Sequence, residues 1–139
     1  LKKNIVFIVI FLGAFSSCSK NNEEKYATPS DAIITLVSAM DRQDSVTALN
    51  SLSTSYRETI MKRGFEFKFI FDVFKDIRQS VEVVSVDSIS TDSVKVFISE
   101  LLTKNSIIVK RDSCFYDVVR EKGEWRVGEL SARGIRRLN

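Results

Sequence analysis

The hydrophobic period of this chain changes near Gln79, and that change limits what it can fold into. Before it, apolar residues recur at helical spacing; after it, they alternate in Val-rich runs. Ile33, Leu36, Val37 and Met40 follow the i, i+3, i+4, i+7 pattern of one buried helical stripe. Thr28 can cap that helix, Pro29 suits its first position, and Asp31 places an acid at N3 near the positive helix end. The helix is expected to end near Gln43. Asp44 then reads as the cap of a short second helix carrying Val46, Leu49 and Leu52, and STSYRETIMKRG continues with Tyr56 and Ile60 up to Gly64. The segment FEFKFIFDVFKDIR, residues 65–78, fits two periods. Phe65, Phe67, Phe69 and Phe71 alternate as in a strand, whereas Phe67, Ile70, Phe71 and Phe74 share one helical face. Lys68, Asp72, Lys75 and Asp76 fall together on the other side, so the spacing predicts a helix over 67–78.

Beyond Gln79, SVEVVSVDSI switches parity at Val83-Val84, which predicts a bulge. STDS reads as a turn. VKVFISELL puts Val94, Val96 and Ile98 on one face and Lys95, Phe97 and Ser99 on the other. SIIVKRDSCFYDVV supplies a long or interrupted strand, REKGE a glycine turn, and WRVGEL a closing strand with Trp125 and Val127 on one side. Helices first and an antiparallel meander after them predict an α+β fold, with the helices on one face of a sheet of about four strands.

Lys2 and Lys3 precede IVFIVIFLGAF, an uninterrupted apolar run over residues 5–15. A helix of that length reaches about 16 Å, against about 30 Å of bilayer hydrocarbon, so residues 1–17 read as a secretory leader and not as a span. Two cuts compete. Ala14-Phe15-Ser16 suits an ordinary signal peptidase, whereas FSSC followed by SK resembles the lipobox of bacterial lipoproteins, with Phe15 where Leu is usual. That resemblance implies lipidation of Cys18, whose acyl chains would anchor the protein to a membrane of the bacterial cell envelope, the outer membrane in this reading. Residues 18–27 then form a polar tether of about 17 Å if coil-like, residues 28–132 the domain, and residues 133–139 a basic tail. The other cysteine, Cys114, reads as a small apolar core residue in a strand; a disulfide to an unacylated Cys18 is the alternative.

The formal charge of +3 does not indicate a nucleic-acid partner. From Cys18 to Ala132 there are 16 basic and 18 acidic residues, so the body lacks the concentrated basic surface that phosphate binding needs. The sequence contains no histidine, which removes imidazole as general base and as metal ligand. No metal, cofactor or nucleic acid is expected.

The order of three helical segments and four strands, with TPSDAIITLVSAMDRQD first and VVREKGEWRVGEL last, resembles the nuclear transport factor 2-like superfamily and its lipoprotein members with the cystatin-like fold. The resemblance covers roughly residues 27 to 131 and implies a curved sheet wrapped around the helices, leaving a conical pocket. Tyr56, Phe67, Phe71, Phe74 and Trp125 are the expected lining of such a pocket, which would take a small apolar ligand in a non-enzymatic binding module; the plainer reading has Phe67, Phe71 and Phe74 filling the core against Trp125. The alternative is a small cone-type enzyme, isomerase or dehydratase-like, with Asp112 or Asp117 as acid and Tyr56 or Tyr116 beside it. Phe97, on the opposite sheet face, suggests a homodimer through that face. The tail RGIRRLN suggests a contact with anionic lipid.

Overall fold

Thr28 starts the first helix of the computed structural model, which describes residues 25–131. Its hydroxyl accepts from the Asp31 backbone N–H at 3.1 Å, and the Asp31 carboxylate accepts from the Thr28 N–H at 3.0 Å, a reciprocal box that satisfies two otherwise orphan donors. Helix α1 spans Pro29–Asp41 and ends where Gln43 takes a φ of 58°. Asp44 caps α2, Ser45–Asn50, by accepting from Thr47 N–H at 3.0 Å, and Ser53 caps α3, Thr54–Lys62, by accepting from Tyr56 N–H at 3.2 Å. The expected caps at Thr28 and Asp44 agree with this arrangement. Two residues expected on the second helix do not: Val46 is solvent-exposed, with Ala48 buried instead, and Leu52 lies beyond the end of α2, bridged to Val127.

Helix α4 runs from Phe67 to Phe74, so the predicted helix over 67–78 is too long at its C-terminus. The cause is Asp41, at the end of α1. Its carboxylate accepts from the Gln79 backbone N–H at 2.8 Å and pairs with the Arg78 guanidinium at 2.7 Å. Those contacts draw Arg78 into the first strand, against the helical continuation that the charge pattern of 72–76 favours.

Four antiparallel strands follow in the order β1 (Arg78–Ser90), β2 (Ser93–Lys104), β3 (Ile107–Glu121) and β4 (Glu124–Ser131). The pairing of β1 with β2 breaks register between Val83 and Ser85, where the parity switch predicted a bulge. Strand β3 is continuous over 15 residues. Two-residue turns at Asn105-Ser106 and Lys122-Gly123 hold φ values between 51° and 82°, the primed geometry that matches the twist of a hairpin. Helix α1 packs across the inner face against β1 and β4. The core it closes contains Ile33, Val37, Val96, Ile98, Val118 and Val127. The segment between α2 and α3 is laced to β4: Val127 N–H donates to Ser51 O at 2.8 Å, and Ser53 N–H donates to Val127 O at 2.7 Å. The N-terminal edge is tied similarly, with Trp125 N–H donating to Tyr26 O at 2.9 Å and Thr35 Oγ1 donating to Lys25 O at 3.0 Å. Tyr26 is buried in the core, so the domain begins before residue 28 and the end of the expected 18–27 tether belongs to it.

Ile98 sits fully buried at the middle of β2. Ile98→Ala is therefore expected to lower the unfolding free energy by about 3 kcal/mol in urea titrations, through lost transfer energy plus the cavity left behind. Phe69→Ala, at a site 72% exposed, should change it by less than about 0.5 kcal/mol.

Candidate functional site

Helices α1, α3 and α4 do not fill the inner face of the sheet. They leave a cavity of about 380 Å³ whose wall includes Leu36, Met40, Ile60, Ile70 and Leu102. Three of the five residues expected to line such a pocket do so: Tyr56, Phe67 and Phe74. Phe67, Ile70 and Phe74 form one i, i+3, i+7 row along α4 and face the cavity together. Phe71 is off that row. It stacks on Phe67 with ring centroids 5.7 Å apart, buried in the core and not on the cavity wall. Trp125 also lies elsewhere: it is the second residue of β4, beside the last hairpin turn, bonded to Tyr26 and covered by the Arg120 guanidinium at 4.9 Å. The cavity wall instead includes Gln79, Leu102 and Lys110, toward the other end of the meander.

Neither of the two expected acids is on this wall. Asp112 Oδ2 pairs with Lys110 Nζ at 2.6 Å. Asp117 lies in a separate recess with Ser53 and Gly128, and its Oδ1 has no hydrogen-bond partner among the described residues. A Cβ on Gly128 would stand 3.0 Å from the Asp117 carbonyl oxygen, so glycine is what lets the two strands close at that bulge. The wall carboxylate is Glu100, joined there by Lys110 and Tyr116.

Glu100 could have been found from strand parity. It follows Val94, Val96 and Ile98 at steps of two on the inward face of β2, and Leu102 continues the same row. Its register partner on β3 is Asp112, on the same inward parity as Cys114, Tyr116 and Val118. Burial pushes the Glu100 carboxyl up; Lys110 opposes that rise and Asp112 adds to it. Burial likewise pushes the Cys114 thiol up to about 11, with Glu100 and Asp112 contributing, which fits a buried thiol of low reactivity. Tyr116 is raised by burial and by Glu100, and Tyr56 by burial and by Glu129. At neutral pH these phenols are therefore neutral donors. The wall thus combines hydrocarbon, phenolic O–H, one carboxyl that holds its proton above the ordinary range, and one ammonium. Such a set can hold an apolar body and hydrogen-bond a polar head. Among the described residues no cluster of His, Cys, Asp or Glu could hold a metal ion.

No protein-family model and no curated protein matches the sequence. Solved structures do match the fold. A putative calcium/calmodulin-dependent protein kinase type II association domain from Thiobacillus denitrificans superposes with a TM-score of 0.62 at 15% identity, over 76% of this chain and 98% of that one. A domain of unknown function with a cystatin-like fold from Nostoc punctiforme gives 0.60 at 14% identity, over 82% of each chain. An NTF-2-like protein of unknown function from Shewanella oneidensis gives 0.53 at 9% identity, over 73% of this chain and all of that one. The chain has the cystatin-like fold of the NTF2-like proteins.

Glu100 also gives the stability a pH dependence. Its folded pKa lies above the ordinary value of 4.5, so the unfolded chain releases this proton first as pH rises. The unfolded state then binds fewer protons than the native one, and stability falls across the window from 4.5 to the raised native value. Glu100→Gln removes that loss. The stability difference between Glu100→Gln and the parent should be flat below pH 4.5, grow in favour of the variant as pH rises through the window, and then level off. Urea titrations at a series of pH values measure it.

Proposed function

We propose that this protein is an exported, lipid-anchored bacterial lipoprotein whose domain holds a small amphipathic molecule in the cavity, apolar part against Leu36, Met40, Phe67 and Phe74, polar head toward Glu100, Lys110 and Tyr116. The observation that carries the binding reading is the segregation of that wall, with four polar residues of the sheet, Gln79, Glu100, Lys110 and Tyr116, set against an otherwise largely apolar lining. The volume falls within the range of small-molecule sites, and a few convergent polar groups in an apolar cleft are what such sites use for orientation. Export and anchoring rest on the sequence alone: the apolar run over 5–15, Cys18 and the tether as far as residue 24 lie outside the described residues, as does the basic tail over 133–139. In this reading Cys18 carries the acyl chains and the protein faces the periplasm or the cell surface. Pairing of two copies through the outer sheet face belongs to the same reading, supported by Phe97 and Phe115, whose rings pack 4.7 Å apart there.

Native mass spectrometry of the protein purified from its own cells tests these elements together. The expected spectrum shows acyl mass at Cys18, a retained small molecule and a dimer. A mature mass without acyl chains overturns the anchor. For the cavity, Met40→Trp places a larger ring in the bound molecule's space. It should weaken binding of a single-chain amphiphile about tenfold, or about 1.4 kcal/mol, in calorimetric titration with the far-UV spectrum unchanged.

A second reading is favoured by one observation, the buried carboxyl of Glu100 on an apolar wall. A carboxyl raised above its ordinary value can exchange a proton with a bound substrate, with Tyr116 donating a hydrogen bond to the charge that develops. In that case turnover of an enolisable substrate is abolished by Glu100→Gln while binding persists. Binding without turnover in the parent protein supports the first reading.

A further inference from the structure

The hairpin joining β2 to β3 stands beyond the rest of the sheet. Strand β1 begins at Arg78, opposite Thr103, and the last pairing of β4 is Ser131 with Phe115. Among the described residues, the ribbon past Thr103 and Ile108 is therefore two strands wide. Every residue from Lys104 to Arg111 is exposed, yet three consecutive ones are aliphatic: Ile107 at 69%, Ile108 at 53% and Val109 at 53%. The chain from Leu101 to Arg111 has no acidic residue and three basic ones, Lys104, Lys110 and Arg111. Lys110 is engaged by Asp112, so Lys104 and Arg111 supply the charge available to a partner.

We propose that this hairpin tip docks into the surface of a lipid bilayer bearing anionic headgroups, with Ile107, Ile108 and Val109 entering the headgroup–acyl boundary and Lys104 and Arg111 meeting lipid phosphates. Geometry favours a bilayer over a rigid protein surface. Ile107 and Ile108 point to opposite faces of the ribbon by strand alternation, and Val109 beside them is the extra residue of a bulge on β3, opposite Leu102 and Thr103 of the partner strand. A flat protein partner would cover one face and leave the other wet, whereas a fluid interface surrounds the tip. Three strand residues extend about 10 Å, the depth to which interfacial segments bury their apolar part. The flanking cations are placed as at other interfacial segments, where each basic residue near an anionic leaflet strengthens binding. The proposal rests on the hairpin alone, not on the reading of the cavity or of Cys18. It does have a consequence for the cavity: Leu102 and Lys110, at the base of this ribbon, are on the cavity wall, so a docked tip sets that wall close to the membrane surface.

The test uses the full chain with Cys18→Ser and an environment-sensitive fluorophore on Ile108→Cys; Cys114 is buried and stays unlabelled. A second preparation carries the probe on Ile89→Cys, an exposed site toward the opposite end of the sheet. With phosphatidylcholine–phosphatidylglycerol vesicles the probe at 108 should shift to the blue and become shielded from an aqueous quencher, while the probe at 89 stays wet. Lys104→Gln/Arg111→Gln should weaken the burial of the tip about thirtyfold, the loss of two surface cations. Four outcomes overturn the proposal. They are no shift at 108, equal shifts at 108 and 89, equal shifts on neutral phosphatidylcholine vesicles, and a vesicle-free shift that grows with protein concentration. The last of these assigns the tip to a second copy of the chain.

Discussion

The pairing of β2 with β3 is the constraint on which the rest of the structure depends. Its register runs from Ser93 opposite Val119 to Lys104 opposite Ile107, and it decides which side chains face the helices. In a strand the side-chain period is two, so a slip of one residue would send Val94, Val96 and Ile98 outward and bring Lys95, Phe97 and Ser99 into the core. The turn at Asn105-Ser106 fixes the pairing at one end, since two consecutive residues at positive φ close a hairpin of defined length. At the other end Arg120 N–H of β3 donates to Asp92 O at 2.8 Å and ties β3 to the turn between β1 and β2.

Along that one inward row the chemistry changes in a single step. Val94, Val96 and Ile98 are hydrocarbon and lie under the helices; Glu100 follows, and there the covering thins into the cavity. The boundary between core and cavity is thus written in β2. The helices set its depth. Helix α4 has only 8 residues and leans one row, Phe67, Ile70 and Phe74, over the opening without filling it. Burial then acts on every polar group left on the wall, raising Glu100, Tyr116 and Cys114 in the same direction because each loses water from its charged form.

Much of the fold was legible. The capping box of Thr28 and Asp31, the cap at Asp44, the bulge at Val83 and the two faces of β2 all follow from short-range patterns, and each is present. The end of α4 was not legible, because the residue that stops it is Asp41, distant in sequence and reached only when α1 lies along β1. The candidate site was legible in part. Tyr56, Phe67 and Phe74 reach the cavity, but Phe71 and Trp125 were grouped with them by type, and bulk alone does not say which way a ring points. Asp112 and Asp117 are the acids near Tyr116 in sequence, and Asp112 shares the inward parity, yet the wall carboxylate is its register partner Glu100, which continues the row of Val94, Val96 and Ile98.

By itself the sequence determined the order and kind of the elements, the inward row of β2, and the absence of histidine chemistry, because these depend on spacing, caps and residue identity within a few positions. Only the tertiary structure decided that Glu100 meets Tyr116 and Lys110 on one wall, that Asp117 is turned into a separate recess, and that the Ile107–Val109 tip is left uncovered. Those outcomes depend on which elements lie across from one another. Packing of α1 and α4 on the sheet sets that, through contacts between residues far apart in the chain whose partners no local pattern names.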